Sequence, residues 1–128
     1  LREDVLAMRE KMHAGHVNDT DLFDLKHDHG GIVDVEFCVQ YLVLRQGAAH
    51  PELTDNVGNI ALLQRAGAAG LLPSDLAQAA ADAYRELRRR QHVIKLSGAE
   101  YARVPAQALE SVRSAVSALW AQVMDAAV

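Results

Sequence analysis

At 128 residues, the chain is the size of one domain and can bury roughly two-thirds of its unfolded surface. Half of its residues are hydrophobic and only 5% are aromatic, with alanine plentiful, which suits closely packed helices and disfavours a β-sandwich. The net charge of −4 offers no general attraction to nucleic acid or to an acidic membrane surface.

Leu1, Val5, Met8 and Met12 recur at helical spacing between charged residues, and Gly15 is a stop signal, so a first helix of about 14 residues is predicted. After a polar turn, Phe23 and Leu25 alternate with Asp24 and Lys26, making residues 22–26 strand-like. A lone strand has nothing to pair with in a helical chain. The segment is therefore expected to be an extended connector, or a strand whose partners lie outside this chain. His27-Asp28-His29-Gly30-Gly31 reads as a turn with two positions that tolerate positive φ. Residues 32–45 are apolar almost all round and predict the central, enclosed helix.

Thr54 or Asp55 is the expected cap of a third helix carrying Val57, Ile60 and Leu63 and ending near Gly67. Ser74 is the expected cap of a long fourth helix with Leu76, Ala80, Ala83, Leu87 and Ile94 on one stripe and Tyr84 beside it. Pro105 opens a last helix whose seam is Leu109, Val112, Val116, Leu119 and Val123, flanked by Trp120. The expected fold is all-α: one domain over residues 1–128, a bundle of about five helices with a short extended segment near residues 22–26. Phe37, Tyr41, Leu44, Leu87 and Trp120 are expected in its core.

No apolar stretch reaches the ~20 residues of a membrane span, and no signal peptide is visible, so a cytoplasmic protein is expected. Cys38 has no second cysteine to pair with and lies in an apolar run, where an inert buried thiol is expected. The chain starts at Leu1 rather than methionine and enters a helical pattern at once, which suggests a piece of something longer.

Three groups of residues are candidates for chemistry. Asp34 and Glu36 follow the glycine pair; two apart in an extended chain they would point the same way and could share a divalent metal. On a helix they would diverge by about 200°, leaving Asp34 as a first-turn acid and Glu36 to find a partner such as Lys26 or an arginine. His13, His16, His27 and His29, with Asp28, carry zinc-type ligands but match no zinc spacing, so solvated loop histidines are expected. Arg85, Arg88, Arg89, Arg90, His92 and Lys95 could grip phosphates or form a solvated helix face. Asp19-Thr20-Asp21 has the aspartate spacing of a two-metal nucleotidyltransferase site but lacks the Gly-Ser turn before it and the apolar strand after it. No phosphate-cradling glycine loop, nucleophile elbow or HExxH sequence is present.

One stretch carries more. Phe23-Asp24-Leu25-Lys26, then Gly30-Gly31-Ile32-Val33-Asp34-Val35-Glu36-Phe37, then Gln40-Tyr41-Leu42-Val43-Leu44-Arg45 resembles the Lys…Gly-Gly-x-x-Asp-Ile-Glu-Phe…Gln stretch of one family. That family is the bifunctional glutamine synthetase adenylyltransferases and adenylyl-removing enzymes, and the likeness is to the second, C-terminal copy of the stretch. The first helix and Asp55-Asn56-Val57 agree as well; beyond about residue 65 only a helical likeness is expected.

The resemblance implies the helical domain that follows a nucleotidyltransferase domain, with residues 1–31 as the connection. It implies that one half of the whole enzyme transfers AMP from ATP to a tyrosine of glutamine synthetase and the other removes it. ATP and Mg²⁺ would be held by a Gly-Ser-Asp-x-Asp motif absent from this chain. Glutamine synthetase, the PII signal protein and the enzyme's own nucleotidyltransferase domain would be its partners. This piece alone would need no cofactor and be inactive. Asp34 and Glu36 are the candidate catalytic residues, completing a site on the adjoining domain. The alternative is a stand-alone helical module that binds a protein partner.

Overall fold

In the computed structural model, which describes residues 2–125, α1 spans Arg2–Gly15, and Leu1 lies outside the described residues. β1 (Leu22–Asp24) leads through a turn into α2 (Ile32–Gln46), followed by α3 (Asn59–Ala68) and α4 (Ser74–Leu96). β2 (Arg103–Pro105) precedes α5 (Glu110–Trp120), which continues into a π-helical turn, Ala121–Asp125. Among the described residues the architecture is thus a bundle of five α-helices with one two-stranded antiparallel ribbon. No helix there is long and apolar enough to cross a membrane.

α2 is the hub, packed against each of the other four helices. Ile32, Val35, Cys38, Val39, Tyr41 and Leu42 are buried along it, with Phe37 at the margin. Against them close Leu63 and Ala66 of α3, Ala77, Ala80, Ala81, Ala83 and Leu87 of α4, and Val116 and Leu119 of α5. The alanine-rich face of α4 is what lets that helix approach closely, as the composition suggests.

The strand-like segment has its partner inside this chain, contrary to expectation. Leu22, Phe23 and Asp24 pair antiparallel with Pro105, Val104 and Arg103, and the Leu25 amide donates to the Ala102 carbonyl at 2.9 Å. The ribbon survives because Phe23 and Leu25 are buried in the hydrophobic core, so packing stabilises what two short strands alone would not. Pro105 accordingly ends β2, with a one-turn 3-10 helix (Ala106–Leu109) between it and α5, instead of opening the last helix itself.

Two helix starts also differ from the sequence expectation. Pro51 begins a one-turn 3-10 helix, Pro51–Thr54, that buries Leu53. α3 then starts after Gly58, whose φ of +88° favours glycine, so neither Thr54 nor Asp55 caps it and Val57 stays exposed outside the helix. Asp55 pairs with Arg65 at 2.7 Å instead. At α4, Pro73 holds the cap position and Ser74 is the first helical residue, without a side-chain cap.

Leu44 is the clearest core miss. It is 57% exposed, whereas Phe37, Tyr41 and Leu87 are buried as expected and Trp120 is partly so. The cause is helical geometry: Gln40 and Leu44 follow Glu36 at four-residue spacing on one face of α2, and that face passes from partly buried at Glu36 to exposed at Gln40 and Leu44. Leu87→Ala should therefore cost ~2–5 kcal/mol through lost burial and a cavity, while Leu44→Ala should fall within about 0.5 kcal/mol of the parent. Thermal melts of the two variants check this; a Leu44→Ala loss as large as that of Leu87→Ala would mean this face is covered.

Candidate functional site

The corner between β1 and α2 is built by backbone geometry. Gly30 has φ +89°, and a Cβ on Gly31 would stand 2.5 Å from the Leu25 carbonyl oxygen, so both glycines are required, for different reasons. This fold-back lets the Leu25 and Lys26 carbonyls accept from the amides of Ile32 (2.8 Å) and Val33 (3.0 Å). The first turn of α2 is thus satisfied by the preceding chain, which explains its lack of a side-chain cap.

Asp34 lies in this first turn, 3% exposed. Arg9 of α1 grips it through two parallel bonds, Nε to Oδ1 at 2.8 Å and Nη2 to Oδ2 at 2.7 Å, and the Gly30 amide donates to Oδ2 at 2.8 Å. The Arg9 guanidinium also stacks 3.6 Å over the Trp120 ring. One arginine therefore joins α1, α2 and α5, while Asp34 closes the glycine turn. Lys26, suggested by sequence as a partner of Glu36, is exposed.

Glu36 points the other way. On the helix it diverges from Asp34 by about 200°, and its Oε2 accepts from the Tyr84 hydroxyl of α4 at 3.1 Å. The two acids therefore cannot chelate one metal together. Glu36 lines a groove of ≈ 380 Å³ with Met12, Lys26, His27, Phe37 and Gln40. Cation, carboxylate and amide thus share a cleft with an apolar wall, a setting that orients a polar ligand while partly excluding water.

The four histidines gather beside this groove as two ring pairs. His16 and His27 stack with centroids 3.8 Å apart, and His13 lies 4.4 Å from His29 at a tilt. Burial first, then His16 beside His27 and Arg9 beside His29, holds both imidazoles below the ordinary histidine pKa. Among the described residues, no three His, Cys, Asp or Glu side chains are placed to hold a metal.

The basic run of α4 is a solvated face of ion pairs. Arg89 and Arg90 both bond Glu86, holding its carboxyl down at about 2, and Arg85 pairs with Asp82 at 3.0 Å. Asp19 and Asp21 are exposed in a turn organised by Asn18, which accepts from the Thr20 amide and hydroxyl. Cys38 is buried, and desolvation pushes its thiol far above the ordinary range.

Arg9, Asp24, Asn59, Tyr84 and Arg103 carry structural roles that no local pattern announces. Asp24 is the second buried acid; it accepts from the Lys26 and His27 amides and faces Arg103 of β2 at 3.4 Å. Each of these arginine and tyrosine partnerships spans 25 or more residues of sequence.

A family model described as GlnD PII-uridylyltransferase matches residues 4–122. The chain is 56% identical over 125 residues to the bifunctional glutamine synthetase adenylyltransferase/adenylyl-removing enzyme of Bordetella bronchiseptica, covering 98% of this chain and 13% of that protein. The protein of the same name from Ralstonia nicotianae is 54% identical over 123 residues, covering 96% and 13%. That from Nitrosomonas eutropha is 50% identical over 137 residues, covering 96% and 15%. The likeness thus runs nearly the whole chain rather than thinning near residue 65, while the chain spans only 13% to 15% of these relatives' length.

Proposed function

Since the chain belongs to the family described as GlnD PII-uridylyltransferase, we propose that it is the helical domain of an enzyme that adenylylates and deadenylylates glutamine synthetase. The family description and the relatives' names point to different protein acceptors, PII and glutamine synthetase, and to one kind of chemistry, nucleotidyl transfer to a protein. The 56% identity over nearly the full chain favours glutamine synthetase, and it is the observation that carries the proposal. A stand-alone interaction module is the weaker reading, because these relatives bear the likeness within proteins of which it is 13% to 15%.

In the proposed arrangement, the face of α2 bearing Glu36, Gln40 and Leu44 turns toward the nucleotidyltransferase domain. The exposure of Gln40 and Leu44 and the groove lined by Glu36 support this choice of face. Glu36 accepts the proton of the incoming tyrosine hydroxyl. The phenolic oxygen attacks the α-phosphorus of ATP, and pyrophosphate leaves with the electron pair of the broken bond. Asp34, with both oxygens engaged by Arg9 and Gly30, holds the corner in shape. ATP and Mg²⁺ belong to the adjoining domain; the residues described here do not fit a metal, and no step runs through one held by this chain. Regulation by PII and a cytoplasmic location complete the proposal.

The test is transfer of labelled AMP. The full-length protein should label glutamine synthetase from ATP, and the 128-residue chain alone should neither do so nor bind ATP–magnesium tightly. Labelling of PII with UMP instead would overturn the choice of acceptor, and transfer by the isolated chain would overturn its dependence on the second domain.

A further inference from the structure

Glu36 does not hang free at the edge of its groove. Tyr84, 7% exposed, donates its hydroxyl to Glu36 Oε2 at 3.1 Å. Asn59, the first residue of α3, donates Nδ2 to the Tyr84 oxygen at 3.1 Å. Side chains from three helices, 25 and 48 residues apart in sequence, thus form a chain of two hydrogen bonds that ends on one carboxylate oxygen. A phenol has a single proton. With Asn59 donating to the phenol oxygen, that proton is directed at Glu36, and Oε1 remains for a ligand in the groove. Burial first, and the charge of Glu36 second, push the Tyr84 hydroxyl above its ordinary pKa, so it stays a donor. A partly buried glutamate without such a bond samples several rotamers, and each one that turns away from the groove is unproductive.

We propose that Tyr84 and Asn59 are positioning residues for the transfer reaction: through this chain of two hydrogen bonds they hold Glu36 in one orientation toward the acceptor hydroxyl. This rests on the assignment of Glu36 as proton acceptor. The alternative role for the same bonds is simple satisfaction of a buried hydroxyl, which would matter for stability and not for the reaction.

A double-mutant cycle in the full-length enzyme separates the two. Tyr84→Phe keeps the ring and removes only the hydroxyl. It should lower kcat for AMP transfer by about ten- to a hundredfold with KM for ATP nearly unchanged. In a Glu36→Gln background the same change should alter kcat by less than about twofold, because the group it orients is already disabled. Asn59→Ala, which leaves the core intact, should act in the same direction more weakly and serves if Tyr84→Phe folds poorly. An equal fractional loss in both backgrounds, or no loss in Tyr84→Phe while Glu36→Gln is impaired, would overturn the positioning role alone. A Glu36→Gln enzyme with wild-type turnover would overturn the assignment of Glu36 and the positioning role with it.

Discussion

Glu36→Gln in the full-length enzyme is expected to lower adenylylation turnover by about 10²–10⁴-fold, the usual contribution of a positioned general base. Glutamine has the same shape and still offers an oxygen to the Tyr84 hydroxyl, so the fold should lose less than about 0.5 kcal/mol. What glutamine lacks is basicity. Rate and melting temperature should therefore separate. A fall in both together would mean that Glu36 serves the packing of α2 against α4. Wild-type turnover would remove this corner from the chemistry.

Arg9→Met is expected to have the opposite profile. Asp34 is 3% exposed and keeps only the Gly30 amide once the guanidinium is gone, so a buried carboxylate is left without its counter-charge. Removing one partner of such a pair typically costs ~3–5 kcal/mol, here compounded by loss of the stack on Trp120. For a domain of this size the melting temperature should drop by about 10–20 °C. Adding Asp34→Leu should recover much of that loss, because an apolar pair of similar volume replaces an ion pair at little net cost. A melting temperature unchanged in Arg9→Met would show that water reaches Asp34, and the account of Asp34 as the tie between α1 and α2 would fail.

The two acids also show why the site was only half legible. Their spacing marked the segment, and the glycine pair before them marked the turn. Which of the two is locked and which faces a groove depends on Arg9, 25 residues upstream of Asp34, and on Tyr84, 48 residues downstream of Glu36. Neither partner has a local signature: Arg9 reads as one more charge on an amphipathic helix, and Tyr84 as an apolar neighbour of a stripe.

Local periodicity determined the helices, because a helix satisfies its own backbone and needs only an apolar face to be recognised. The glycine pair marked the turn at Gly30-Gly31, and the motif residues around it carried the family resemblance. The pairing of β1 with β2 was decided only in three dimensions. Residues 103–105 are too few to display a period, and they lie some 80 positions from their partners. The exposure of Leu44 was likewise a tertiary matter. A helix that is apolar nearly all round does not say which face its neighbours will leave uncovered, and that choice follows from how α1, α3, α4 and α5 pack around α2.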